Sequence, residues 1–201
     1  ITYGIAVFVL MIVSRVPSMY IIFMVMGFGL PLFAGLNSYN ISRILTFINP
    51  IKDPRGMGWI YVQLNEIIDS AGLYGQGFDL NATALPEIHT DFIFAYIVYT
   101  FGWMAGIVLA ALVITFLIRM ARTAMIVKDK YGKLLISGIV SIFAVQFLWS
   151  ILMNLGLAPI TGASLPFISY GGSQSVVGMA AVGLILNVYK WRNMIGAYKM
   201  L

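Results

Sequence analysis

Leu85-Pro86-Glu87-Ile88-His89-Thr90-Asp91-Phe92-Ile93-Phe94 is the point where a polar cluster runs into an uncharged stretch that continues from Phe92 to Ile118. That stretch exceeds the roughly 20 apolar residues a membrane helix needs. It predicts an all-α fold, a polytopic bundle of membrane helices. It also sets an ionisable side chain, Asp91, where water meets a span. A carboxylate at such a depth is costly and is usually retained for function.

Composition extends the same reading to the whole chain. Hydrophobic residues make up 61% and charged residues 9%, against roughly 25% charged in an average soluble domain. So few charges cannot cover the surface of a soluble protein of 201 residues. The absence of cysteine excludes disulfides, thiolate nucleophiles and Cys-ligated metals. A single histidine excludes the usual multi-His metal sites. The net charge of +5 lies beside apolar segments, so it reads as a topology signal and no nucleic acid is expected as a partner.

Five helical segments are expected: Thr2 to Val13 (short for a span), Met19 to Leu36, Phe92 to Ile118, Leu134 to Met153 and Ser173 to Tyr189. Residues 1–36 would hold two membrane helices, 37–91 a large external loop, and 92–201 three membrane helices with a basic loop and tail. The chain opens in apolar sequence at Ile1 and is expected to be the C-terminal half of a longer polytopic protein. Arg15, the run Arg119, Arg122, Lys128, Lys130 and Lys133, and the tail Lys190, Arg192 and Lys199 fall on one face if each span crosses once. The positive-inside rule makes that face, and the C-terminus, cytoplasmic.

The opposite face then receives 37–91, which carries six of the seven acidic residues, and the uncharged loop Leu155 to Gly172. Connections usually run to roughly 4–6 residues, and much longer ones are functional or disordered. Apolar residues at near-helical spacing over Trp59 to Ile68 predict a short interfacial helix. Gly72, Gly75 and Gly77 predict tight turns.

Several segments, in order, resemble one family. They are Arg43-Ile44-Leu45-Thr46-Phe47-Ile48-Asn49-Pro50, Asp53-Pro54, Gly56-Met57-Gly58-Trp59, Gly72 to Phe78, Leu85 to Phe94, and Leu165-Pro166-Phe167-Ile168-Ser169-Tyr170-Gly171-Gly172-Ser173. Their order and spacing over 38–190 are similar to the SEDS family (FtsW/RodA/SpoVE: shape, elongation, division and sporulation). The resemblance implies a ten-span fold of which these would be the last five. It implies a peptidoglycan glycosyltransferase that polymerises lipid II outside the plasma membrane beside a class B penicillin-binding protein. It also implies an essential aspartate in His-Thr-Asp-Phe, which maps to Asp91. One departure stands out. Where the family has a Gly-Glu-Glu-like stretch, this chain has Tyr96-Ile97-Val98-Tyr99-Thr100.

The implied chemistry joins a C4 hydroxyl to C1 and releases undecaprenyl pyrophosphate, so the hydroxyl must lose a proton. Asp91 is the candidate base; its alternative role is to cap the following helix. The leaving pyrophosphate needs a cation, for which Arg43 is the candidate beside Lys52 and Arg55; the alternative is headgroup contact. A divalent cation, Mg or Mn, is an expected cofactor that would bridge pyrophosphate and carboxylates such as Asp91 or Glu87. His89 and Thr90 are expected to hold Asp91 by hydrogen bonds, or to be structural. Ser169, Tyr170, Gly171, Gly172 and Ser173 would approach the substrate at a helix N-terminus, or form a turn with Ser173 as cap. The loop from Ala158, Thr161 included, would line the substrate cavity. Two rival readings stay open. A lipid-linked precursor flippase would need ionisable residues deep within several spans. An inactive paralogue scaffolding its transpeptidase is suggested by Tyr99-Thr100.

Overall fold

A computed structural model of the protein describes residues 11, 43, 45–50, 56–78 and 85–191. The fold is an all-helical membrane bundle. Its elements are α1 (Met57–Ser70), α2 (Ile93–Phe101), α3 (Trp103–Ile126), α4 (Lys130–Asn154) and α5 (Gly172–Trp191). Of these, α3, α4 and α5 are long and apolar enough to cross a membrane. The expected segments Thr2 to Val13 and Met19 to Leu36 lie outside the described residues, Met11 apart.

The last two spans fall within a few residues of their expected bounds. Asp129 caps the start of α4: its carboxylate accepts the Gly132 N–H at 2.8 Å. Large side chains such as Ile107, Leu112, Val176 and Leu186 stand exposed on α3 and α5. Lipid tolerates such faces because the helical backbone bonds are satisfied internally.

The expected single span from Phe92 to Ile118 is corrected: the chain breaks at Gly102, which lies at φ 85° and ψ 171°. The cause is a second segment docked on the break. Gln76 and Gly77 N–H donate to the Tyr99 and Thr100 carbonyls at 2.8 and 3.2 Å, while Trp103 N–H donates to the Gly72 carbonyl at 3.1 Å. Irregular backbone is tolerated at such a place only when protein satisfies it. Here the turns expected at Gly72, Gly75 and Gly77, which lie at positive φ, supply those partners. Tyr99 and Thr100 are buried beneath this contact.

The helix expected over Trp59 to Ile68 is present as α1, and protein covers its apolar side. Tyr61, Leu64, Ile67 and Ile68 pack with Leu85, Ile88, Phe92, Phe94, Val98 and Tyr99 of the loop and α2. Each fully buried Leu or Val contributes roughly 1.5–3 kcal/mol. A second core joins α3, α4 and α5 through Val113, Met120, Ile136, Phe143, Phe147, Leu165 and Ile185. Asp91 thus stands just before a nine-residue half-helix whose buried apolar residues belong to the first core.

Candidate active site

The turn that carries Asp91 is built on Glu87. Glu87 adopts φ 59°, uncommon for a residue with a Cβ. Its carbonyl accepts the N–H groups of Thr90, Asp91 and Phe92 at 3.1, 3.0 and 3.3 Å. The Thr90 hydroxyl donates to the Glu87 carboxylate at 2.6 Å. Thr90 therefore holds Glu87, and not Asp91 as expected. The His89 ring also turns elsewhere, edge-on to Tyr96 with centroids 5.7 Å apart.

Asp91 does not cap α2. The residue before the helix is Phe92, and no side chain bonds there. Among the described residues the Asp91 carboxylate has no hydrogen-bond partner; its backbone N–H and carbonyl are the bonded groups. Burial raises its pKa above the ordinary carboxylate value, and the charge of Glu87 raises it further.

The loop between α4 and α5 closes over this turn. Ser169 Oγ donates to the Thr90 carbonyl at 2.6 Å and accepts the Leu165 N–H at 2.7 Å. Tyr170 N–H donates to the His89 carbonyl at 2.9 Å, leaving its ring exposed. The two motifs that the sequence shows far apart, 85–94 and 165–173, are thus fastened to each other. Ser173 is not the cap of the last span; α5 already includes Gly172. The Gly171 carbonyl accepts both the N–H and the hydroxyl of Ser175.

A cavity of about 720 Å³ lies between α4, α5 and this loop. Near the loop its lining is polar but uncharged: Gln146, Trp149, Thr161, Ser164, Ser173 and Gln174. Trp149 Nε1 donates to Thr161 at 2.7 Å, and the Ser164 hydroxyl donates to Gln174. Further along the spans the lining becomes Ile139, Ile142, Phe143, Val177 and Ala181. Asp91 does not line this space itself but lies behind Gly162, which does: a methyl group on Gly162 would stand 3.3 Å from Asp91 Oδ2.

Arg43 reaches the same segment, donating from Nη1 to the Ile160 carbonyl at 3.4 Å. Ile160 N–H in turn donates to the Tyr61 hydroxyl at 2.8 Å. Burial raises the Tyr61 pKa, opposed by that bond and by the charge of Arg43. Lys52 and Arg55 lie outside the described residues. No group of three or more His, Cys, Asp or Glu side chains that could hold a metal exists among the described residues.

Sequence reading missed Tyr61, Gln76, Gln174 and Asn154. For Asn154 a signal was present: an amide among apolar neighbours, Met153-Asn154-Leu155, at the end of a span.

Comparison with known proteins identifies the family and the fold. The FtsW/RodA/SpoVE family, described as "Cell cycle protein", matches residues 1–194. Stage V sporulation protein E of Bacillus subtilis is 38% identical over 169 residues, covering 81% of this chain and 46% of that protein. Peptidoglycan glycosyltransferase RodA of Treponema pallidum is 34% identical over 157 residues, covering 76% of this chain and 36% of that protein. The chain thus spans less than half the length of either relative. A solved structure described as "Structural coordination of polymerization and crosslinking by a peptidoglycan synthase complex" superposes with a TM-score of 0.74 at 26% identity, over 94% of this chain and 54% of that one.

Proposed function

This chain belongs to the FtsW/RodA/SpoVE family of cell cycle proteins, and from that membership we propose that the whole protein is an inverting peptidoglycan glycosyltransferase that polymerises lipid II. The observation that carries this reading is the Asp91 carboxylate: half-buried, without a hydrogen-bond partner among the described residues, raised in proton affinity and close to Gly162 of the cavity lining. A raised pKa strengthens a carboxylate as a base.

Asp91 takes the proton of the acceptor's C4 hydroxyl as that oxygen bonds to C1 of the donor. The bond from C1 to the pyrophosphate oxygen breaks, and its electron pair leaves with undecaprenyl pyrophosphate. Arg43, beside the 160–162 segment, is the proposed cation for the leaving group. Thr161 and Ser173 are proposed to meet the saccharides in the uncharged upper cavity, and Ser169, Tyr170, Gly171, Gly172, Glu87, His89 and Thr90 to shape its entrance. A divalent cation, Mg²⁺ or Mn²⁺, enters the proposal as the pyrophosphate's own counter-ion, since no acidic cluster is available to hold it among the described residues.

In the plasma membrane the proposed orientation puts 37–91 and 155–172 outside and the C-terminus in the cytoplasm, with the 1–36, 37–91 and 92–201 division kept. A class B penicillin-binding protein is the proposed partner; the structural relative, a complex of polymerisation and crosslinking, supports it. The test is full-length protein given labelled lipid II in detergent. Polymer ladders that vanish with Asp91→Asn are expected. Movement of lipid II across vesicles without polymer would favour a flippase. Neither activity would favour a scaffold.

A further inference from the structure

We infer that Asn154 is the positioning residue that fixes Asp91 for proton transfer; this rests on the role of base proposed for Asp91. Asn154 is the last residue of α4 and is fully buried. Its amide is used completely. Nδ2 donates to the Asp91 carbonyl at 2.9 Å and to the Ser150 carbonyl at 2.8 Å, while Oδ1 accepts the Ala95 N–H at 3.0 Å.

Two of these bonds bracket the start of α2, where the first turn leaves N–H groups without helical partners. Phe92 offers no side chain to satisfy them. Asn154 therefore acts as the cap of α2 from another helix. The chain leaving Asn154 then runs to Gly162, against which the Asp91 carboxylate lies. Along that run Thr161 N–H returns to Met153 Sδ at 3.3 Å. One end of α4 thus sets both the backbone of the base and the wall that its carboxylate faces.

Asparagine alone suits the place. Aspartate has the shape but no donor for the Asp91 carbonyl, and glutamine is a methylene too long. An apolar residue leaves a carbonyl and an N–H buried without partners. Asn154 touches no reacting atom in this scheme. Its loss displaces the base, and a displacement of about 1 Å in a catalytic group costs on the order of 10²-fold.

The experiment compares full-length wild type, Asn154→Asp and Asn154→Leu on lipid II. The variants are expected to lose about 10- to 100-fold in kcat, with KM held within about threefold because no substrate contact is removed. Ser150→Ala is the control for general damage: Ser150 is as deeply buried, one turn away, and its Oγ has no partner among the described residues. It is expected to keep kcat. Should the Asn154 variants fail to fold, wild-type protein labelled with ¹⁵N-asparagine decides the matter, since both Nδ2 protons of Asn154 are expected to resist solvent exchange. Wild-type kcat in Asn154→Asp, a rise in KM with kcat unchanged, or freely exchanging amide protons overturns the inference alone. A wild-type protein that forms no polymer removes the proposed function and this inference with it.

Discussion

Gly102→Ala tests whether the break between α2 and α3 is held by the glycine turn docked on it. Two costs add. The backbone at φ 85° and ψ 171° lies in a region essentially reserved for glycine, which costs about 1–3 kcal/mol for other residues. A Cβ there would also stand 2.6 Å from Gly75 N and nearer still to the Leu73 carbonyl. These are backbone atoms, so no rotamer relieves the overlap, and the 72–77 segment must retreat. Its retreat breaks the bonds from Gln76 to Tyr99, Gly77 to Thr100 and Trp103 to Gly72. At about 0.5–1.5 kcal/mol net for each of the three bonds, the sum with the conformational strain is roughly 2.5–7.5 kcal/mol.

Gly72→Ala supplies the comparison. Gly72 also has positive φ, at 61°, but nothing lies within 4 Å of a Cβ built on it, so only conformational cost remains, about 1–2 kcal/mol. Thermal unfolding of the detergent-solubilised full-length protein, followed by tryptophan fluorescence, should rank wild type above Gly72→Ala and Gly72→Ala well above Gly102→Ala. Protease cutting near 72–77 should rise only in the Gly102 variant. Equal unfolding midpoints for the two variants would refute the docking argument.

Asp91→Asn is expected to abolish polymer formation while unfolding at the same or a higher temperature at pH 7. A raised pKa means that folding favours the protonated form, so this contribution is full below the ordinary value of 3.8 and lost as pH rises through the folded value. The stability gap between variant and wild type should therefore close on acidification, and the wild-type rate should fall on the acid side with a midpoint above 3.8. Tyr61→Phe leaves the buried Ile160 N–H without its acceptor, and a loss of about 1–3 kcal/mol is expected from thermal unfolding. Gly178→Ala sets a methyl 2.9 Å from the Phe167 ring, which packs on Phe116 and Phe143. Overpacking of about 1–3 kcal/mol is expected, and an unchanged midpoint would show that the ring yields freely.

The helices α4 and α5 were legible because apolar content over a full span leaves few alternatives. Asp91 was legible as a charge at the edge of such a span. The break at Gly102 was not, since Phe101-Gly102-Trp103 continues an apolar run in which glycine is ordinary for a membrane helix. What breaks the helix is a backbone contact with residues 72–77, far away in sequence. The partners of Asn154 are equally distant, at Asp91 and Ala95. His89 and Thr90 were rightly seen as neighbours of Asp91 in sequence. Their side chains turn away because the chain bends at Glu87 through a positive φ that no glycine announced.

These features share one physical logic. A carboxylate on a continuous span would have its depth set by the helix. A nine-residue half-helix has no such fixed depth, and both of its ends expose backbone groups that protein must satisfy. Asn154 satisfies the first end and the glycine turn the second. With both ends pinned, the Asp91 carboxylate needs no bond to the described residues to hold its place, and it keeps its raised proton affinity. Binding it by a neighbour would steady it equally well but would lower that affinity. Support through the backbone is thus the arrangement that keeps a base both fixed and strong.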